Sequence, residues 1–131
     1  MDDLYQQQII EHARHPHNFG TLDGATIVHE EHNPLCGDKV RIELIIEADV
    51  ITDVRFSGQG CAISQASASL LTDELKGMRV ATAKAYHKDD LLELIGIPLN
   101  KNPTRLRCAL LSLKALKVGL YGVGHIHDDD L

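Results

Sequence analysis

The strongest constraint on the fold is an abrupt change of hydrophobic period at Gly58-Gln59-Gly60. Before it, Val40, Ile42, Leu44 and Ile46 alternate with Lys39, Arg41, Glu43 and Glu47, and Ile45 is the one exception; a two-residue period belongs to a half-buried strand. After it, Ile63, Ala66, Leu70, Leu71 and Leu75 fall on one helical stripe that Gly77 stops, so a helix opens at Cys61. Ala48-Asp49 is far too short for a crossover, so residues 50–57 return as an antiparallel partner of the preceding strand.

The rest of the chain fits around this switch. The β-branched Thr26-Ile27-Val28 marks an earlier strand over 25–32, and Asn33-Pro34-Leu35-Cys36-Gly37-Asp38 reads as the loop that follows it. Residues 3–15 form a polar surface helix anchored by Leu4, Ile9, Ile10 and Ala13. One or two short helices are expected over 80–95, with a break at Gly96, Pro98 and Pro103. Leu106, Leu110, Leu113, Leu116 and Leu120 trace a final helix that Thr104 can cap, placing Cys108 near its first turn. Strands grouped before helices predict an α+β fold, a three-stranded antiparallel sheet with helices packed on one face. At 131 residues and 44% hydrophobic content the chain suits one domain, 1–131, and the polar composition of 123–131 predicts a flexible tail.

Charge removes some functions. A formal net charge of −6 with no basic arm argues against binding nucleic acid through phosphates. The acidic opening Met1-Asp2-Asp3-Leu4-Tyr5 lacks the apolar stretch of a secretory signal, and no apolar run is long enough for a bilayer, so the expectation is a cytoplasmic protein without membrane contact.

The candidate chemistry lies in three cysteines, each at a structural transition: Cys36 in a Pro and Gly loop, Cys61 at a strand-to-helix turn, Cys108 near a helix start. A helix N-terminus favours a thiolate, the form that attacks sulfur and binds metal. Spacing alone leaves any one of them open to an ordinary core role, because no Cys-x-x-Cys pair is present. Asp38, two positions after Cys36, would complete a tetrahedral set of three sulfurs and one oxygen.

Asn33-Pro34-Leu35-Cys36-Gly37-Asp38, Gly58-Gln59-Gly60-Cys61-Ala62-Ile63-Ser64 and Arg107-Cys108-Ala109-Leu110 resemble, in order, the motifs of the U-type iron–sulfur cluster assembly family, the IscU, SufU and NifU N-terminal-domain proteins. The resemblance extends through Tyr5 to His12 and Pro16-His17-Asn18-Phe19-Gly20, and reaches about Gly122. It implies a SufE/NifU-like fold and a scaffold that accepts sulfur from a cysteine desulfurase, assembles a transient [2Fe–2S] cluster and passes it to apo iron–sulfur or carrier proteins. The alternative it implies is a zinc-dependent sulfurtransferase that relays persulfide sulfur to another scaffold, with Zn2+ in the same site. Cys36, Cys61 and Cys108 match the thiolate positions, Asp38 the neighbouring carboxylate, and Cys36 is the candidate persulfide acceptor.

Arg107 stands where IscU-type members carry a histidine, and Ile97-Pro98-Leu99-Asn100-Lys101-Asn102-Pro103 replaces their Hsp70-recognition segment, so that chaperone is not expected as a partner. The run over 57–69 is more similar to SufU, although 47 positions between the second and third cysteines are short for a SufU insertion.

Three other groups read first as solvated surface. His12 and His15 lie three apart on the first helix without a carboxylate at matching spacing, and His125, His127 and Asp128 to Asp130 sit in the polar tail. Lys101, Arg105, Arg107, Lys114 and Lys117 form a basic stretch, a solvated helix face or else a docking surface for an acidic partner beside Cys108.

Overall fold

The computed structural model describes residues 3–34, 37–99 and 102–131. Helix α1, Asp3–Arg14, precedes three strands, β1 at Ile27–Asn33, β2 at Asp38–Glu47 and β3 at Val50–Gln59. They form one antiparallel sheet in the order β1-β2-β3. Four helices follow: α2 at Ala62–Leu75, α3 at Val80–Lys84, α4 at Lys88–Ile95 and α5 at Pro103–Tyr121.

The β2–β3 hairpin closes through Ala48 and Asp49, whose φ values of 50° and 64° are the paired positive angles that match strand twist in a two-residue turn. The exception at Ile45 has a geometric cause. The β2–β3 register shifts between Ile45 and Ile46, so two neighbouring apolar residues are accommodated at a bulge.

Val40, Ile42 and Leu44 of β2 and Ile51, Val54 and Phe56 of β3 are fully buried, and Leu71, Leu75, Leu113 and Leu116 meet them from the helices. Each such side chain contributes roughly 1.5–3 kcal/mol relative to exposure. Helix α2 packs on β3 and α5 on β1 and β2. The close approach of α5 to β1 depends on Gly119, where a Cβ would come within 3.1 Å of Ile27 and 3.2 Å of His29.

Helix α2 is buried around most of its circumference, and Ser64, Ser67, Ser69 and Thr72 are among its buried residues. Small side chains let it lie between α1, α5 and the sheet. This central position is why both of its ends become crowded with side chains from other elements.

One expectation is corrected. Thr104 is not the cap of the last helix: Asn102 accepts the Arg105 N–H at 3.1 Å, with Pro103 at the first helical position, where its missing N–H costs nothing. The tail is also given a place in the fold. Leu131 is fully buried, and its main-chain oxygen accepts from the Lys88 N–H and the Lys117 ammonium, both at 2.9 Å, after a 3-10 turn at Asp128–Asp130. Leu131 and the partly buried Ile126 pack against the core, two apolar residues too few to show in the tail's composition.

Candidate metal centre

Asp38, Cys61 and Cys108 come from three separate elements and converge. Asp38 opens β2 directly across the hairpin from Asn33, the last residue of β1, and the Gly37 N–H donates to the Asn33 carbonyl at 2.9 Å. Cys61 is the residue before α2, with an extended ψ of 168°. Cys108 sits in α5, which packs against β1, β2 and α2. One ligand atom from each of the three lies within 4.8 Å of the others.

The carboxylate is the buried centre of this group. Asp38 is 4% exposed, and its Oδ1 accepts the Cys61 N–H at 3.2 Å. Its Oδ2 is buried and takes no hydrogen bond among the described residues. Burial works against its charge, but the Cys108 and Cys61 thiols, the Ser64 hydroxyl and the Cys61 N–H together outweigh burial and hold the carboxyl below its ordinary value. A buried, ionised carboxylate that forms no ion pair among the described residues stabilises a cation. Two sulfurs and one oxygen within this distance are three of the four donors of a tetrahedral set for zinc or iron.

Tight packing keeps the carboxylate in place. A Cβ on Gly60 would lie 2.7 Å from Asp38 Cγ and 2.9 Å from Oδ1, and would overlap the Ser64 hydroxyl. Only glycine therefore lets the end of β3 pass over Asp38.

Cys108 differs from its expected place. It is the sixth residue of α5, in the second turn, 3% exposed, so the helix end does not act on it directly. Cys61 at its helix start is exposed. The third thiol, Cys36, lies outside the described residues.

Two neighbours had no assigned role in the sequence. Ser64 donates to the Cys61 carbonyl at 3.0 Å and faces Cys61 Sγ at 4.0 Å, and Asn33 Nδ2 reaches Cys108 Sγ at 4.0 Å. Ser64 was legible as the residue one helical turn past Cys61. Asn33 required the strand register, which no local pattern gives.

The basic stretch does not form one face. Lys117 is buried against Leu131, which lowers its pKa by desolvation, and Lys114 pairs with Asp128 at 3.3 Å, while Arg105 and Arg107 are exposed and Lys101 lies outside the described residues.

A family model described as the NifU-like N-terminal domain matches residues 4–125. The chain belongs to the NifU-like N-terminal domain family. It is 37% identical to the zinc-dependent sulfurtransferase SufU of Bacillus subtilis, covering 92% of this chain and 91% of that protein. It is 33% identical to the iron–sulfur cluster assembly scaffold protein IscU of Thermotoga maritima, covering 89% and 92%. Among solved structures, a candidate SUF-system scaffold from Fervidobacterium islandicum superposes with a TM-score of 0.72 at 26% identity, covering 87% of this chain and 94% of that one. The N-terminal NifU-like protein of Brucella abortus, at 23% identity, a TM-score of 0.79 and coverage of 92% and 94%, shares the fold. The α+β arrangement expected from the sequence is the one found.

Proposed function

We propose that this NifU-like domain is an iron–sulfur cluster assembly scaffold, taking sulfur from a cysteine desulfurase and building a [2Fe–2S] cluster on Cys36, Cys61 and Cys108 beside Asp38. The observation that carries the reading is the convergence of Asp38, Cys61 and Cys108 around a buried carboxylate oxygen with no partner among the described residues. Iron–sulfur clusters need thiolates, and one oxygen donor holds iron more weakly than a fourth sulfur, which suits a site that must release its product. Cys36, next in the chain to the exposed Gly37 at φ +74°, is the proposed acceptor. Its thiolate attacks the terminal sulfur of the desulfurase persulfide; a new S–S bond forms on Cys36, the old one breaks, and the desulfurase cysteine leaves as thiolate. Recipients are apo iron–sulfur or carrier proteins, and the setting is the cytoplasm. Among the described residues no helix is long and apolar enough to cross a membrane.

One observation favours a second reading, a zinc-dependent sulfurtransferase. Around a single tetrahedral zinc, sulfurs bonded at about 2.3 Å stand roughly 3.8 Å apart, which is compatible with a trio whose ligand atoms all lie within 4.8 Å of one another, whereas a two-iron cluster divides its ligands between two metals. Asp38, Cys61 and Cys108 would then hold the zinc, which keeps bound thiolates deprotonated, and Cys36 would carry the sulfur.

Anaerobic incubation with cysteine, ferrous iron and a cysteine desulfurase separates the two. Equal iron and acid-labile sulfide, with visible charge-transfer absorption that Cys108→Ser removes, is the scaffold result. Retained zinc, no labile sulfide and a faster desulfurase is the sulfurtransferase result. Neither outcome would sink both.

A further inference from the structure

We propose that His12, His17 and Asp73 form a second metal site, for a first-row divalent cation, at the opposite end of α2 from the cysteines. One ring nitrogen of each histidine and one Asp73 oxygen lie within 4.8 Å of one another. The set comes from three segments: His12 from α1, His17 from the turn after it, and Asp73 from the last turn of α2.

Each donor is held by a neighbour. His12 Nδ1 meets the Ser69 hydroxyl at 2.7 Å, which leaves Nε2 for a ligand, and the same hydroxyl accepts the His17 N–H at 2.7 Å. Asn18 Nδ2 donates to Asp73 Oδ1 at 2.9 Å, while His17 Nδ1 meets Oδ2 at 2.6 Å. Asn18 holds a left-handed φ of 58°, a strained conformation for a non-glycine residue that its bonds to α2 offset. Outer contacts of this kind, an oxygen on the far ring nitrogen and an amide on the carboxylate, orient ligands in metal sites.

The electrostatics agree. The His12 and His17 rings stand 4.4 Å apart, close enough for both to face one ion. Lys76, the nearby cation, pairs with Asp53 at 3.6 Å and donates to Asn18 Oδ1 at 3.3 Å, on the side of Asn18 away from the amide nitrogen that holds Asp73, so Asp73 remains the anion of the cluster. Two imidazoles and one carboxylate with open positions suit ferrous iron or zinc, with water completing the shell. Binding would replace the proton shared by His17 and Asp73 and spread the two atoms to about 3.4 Å, the edge of a tetrahedron with bonds near 2.1 Å. Asp73 lies 73 − 61 = 12 residues past Cys61, about 18 Å along the helix at 1.5 Å per residue, so one ion cannot serve both ends. The inference does not depend on what the cysteine site assembles.

The test is a cobalt(II) titration of the purified protein under reducing, anaerobic conditions. The expected result is two ions per chain, the tighter with thiolate-to-cobalt charge transfer and the second with ligand-field bands only. His17→Ala and Asp73→Asn should each weaken the second ion by more than roughly tenfold, the scale of losing even an outer-shell partner, and leave the first intact. Asp73→Asn preserves the hydrogen-bonding shape, so it decides the matter if His17→Ala unfolds. A single ion per chain overturns the proposal. So does a second ion that survives in Asp73→Asn, or one that is lost instead in a His125→Ala, His127→Ala variant.

Discussion

Helix α2 carries a group of ligand-type side chains at each end, and the two are built by different means. At its start, Asp38 and Cys108 are buried and the backbone at Gly60 is pressed against Asp38, so the geometry is imposed by packing. At its end, His17 and Asp73 are about half exposed, with side-chain exposures of 53% and 45%, and the geometry is held by hydrogen bonds through Ser69 and Asn18. A packed site resists rearrangement and is damaged by volume; a hydrogen-bonded site tolerates volume and is damaged by loss of a single polar atom. The first has thiolates and selects soft metal or sulfur chemistry, while the second has nitrogen and oxygen and admits harder ions.

The contrast can be broken most forcefully at Cys108. Cys108→Ser keeps the volume but removes a sulfur ligand, and iron or zinc retained by the cysteine site after desalting should fall below one tenth of wild type, since ligand loss exceeds the 10–100-fold cost of an outer-shell change. Metal analysis checks this, and the far end of α2 should be unaffected.

Gly60→Ala comes next. The new methyl meets Asp38 and Ser64 with no space to spare. Overpacking should cost about 1–3 kcal/mol in a denaturant melt and weaken metal binding at the cysteine end alone. Unchanged stability and affinity would mean that the carboxylate is not held by packing.

Asp38→Ala sharpens the scaffold reading. Removing the weak oxygen ligand should make an assembled cluster longer-lived, with release to an apo acceptor slowed by roughly tenfold, about 1.4 kcal/mol in the barrier. A shorter-lived cluster, followed by its visible absorption, would count against an oxygen ligand tuned for release.

Ser69→Ala should give the smallest effect, roughly 1 kcal/mol of stability from one lost hydroxyl. Its value lies in direction: cobalt binding at the far end should weaken while the thiolate bands stay the same.

How much of this was legible depended on distance along the chain. The change of period at Gly58-Gln59-Gly60 located the sheet and α2 because a strand or helix writes its burial every two or three to four residues. The cysteines and Asp38 were visible as residue types at structural transitions, and the resemblance of their motifs joined them. What local pattern could not show is which residues meet. The sequence pairs His12 with His15 and offers no carboxylate at matching spacing, whereas the structure brings His12 to His17, and Asp73, 56 positions from His17, to both. Glu43 looked like an outward residue of an alternating strand, yet it is 3% exposed and takes the Leu22 N–H at 3.2 Å and Arg41 at 3.3 Å. In each case a loop folds back over a surface that periodicity assigns to solvent. Leu131 is the same lesson at the tail.

The central claim is that Asp38 and the cysteines are one metal-binding centre. Zinc-edge X-ray absorption on protein loaded with one zinc per chain tests it most directly. The expected spectrum is dominated by sulfur at about 2.3 Å with a single oxygen near 2.0–2.2 Å, and Asp38→Ala should change the oxygen contribution while the sulfur shell remains. A first shell made only of nitrogen and oxygen would contradict the claim.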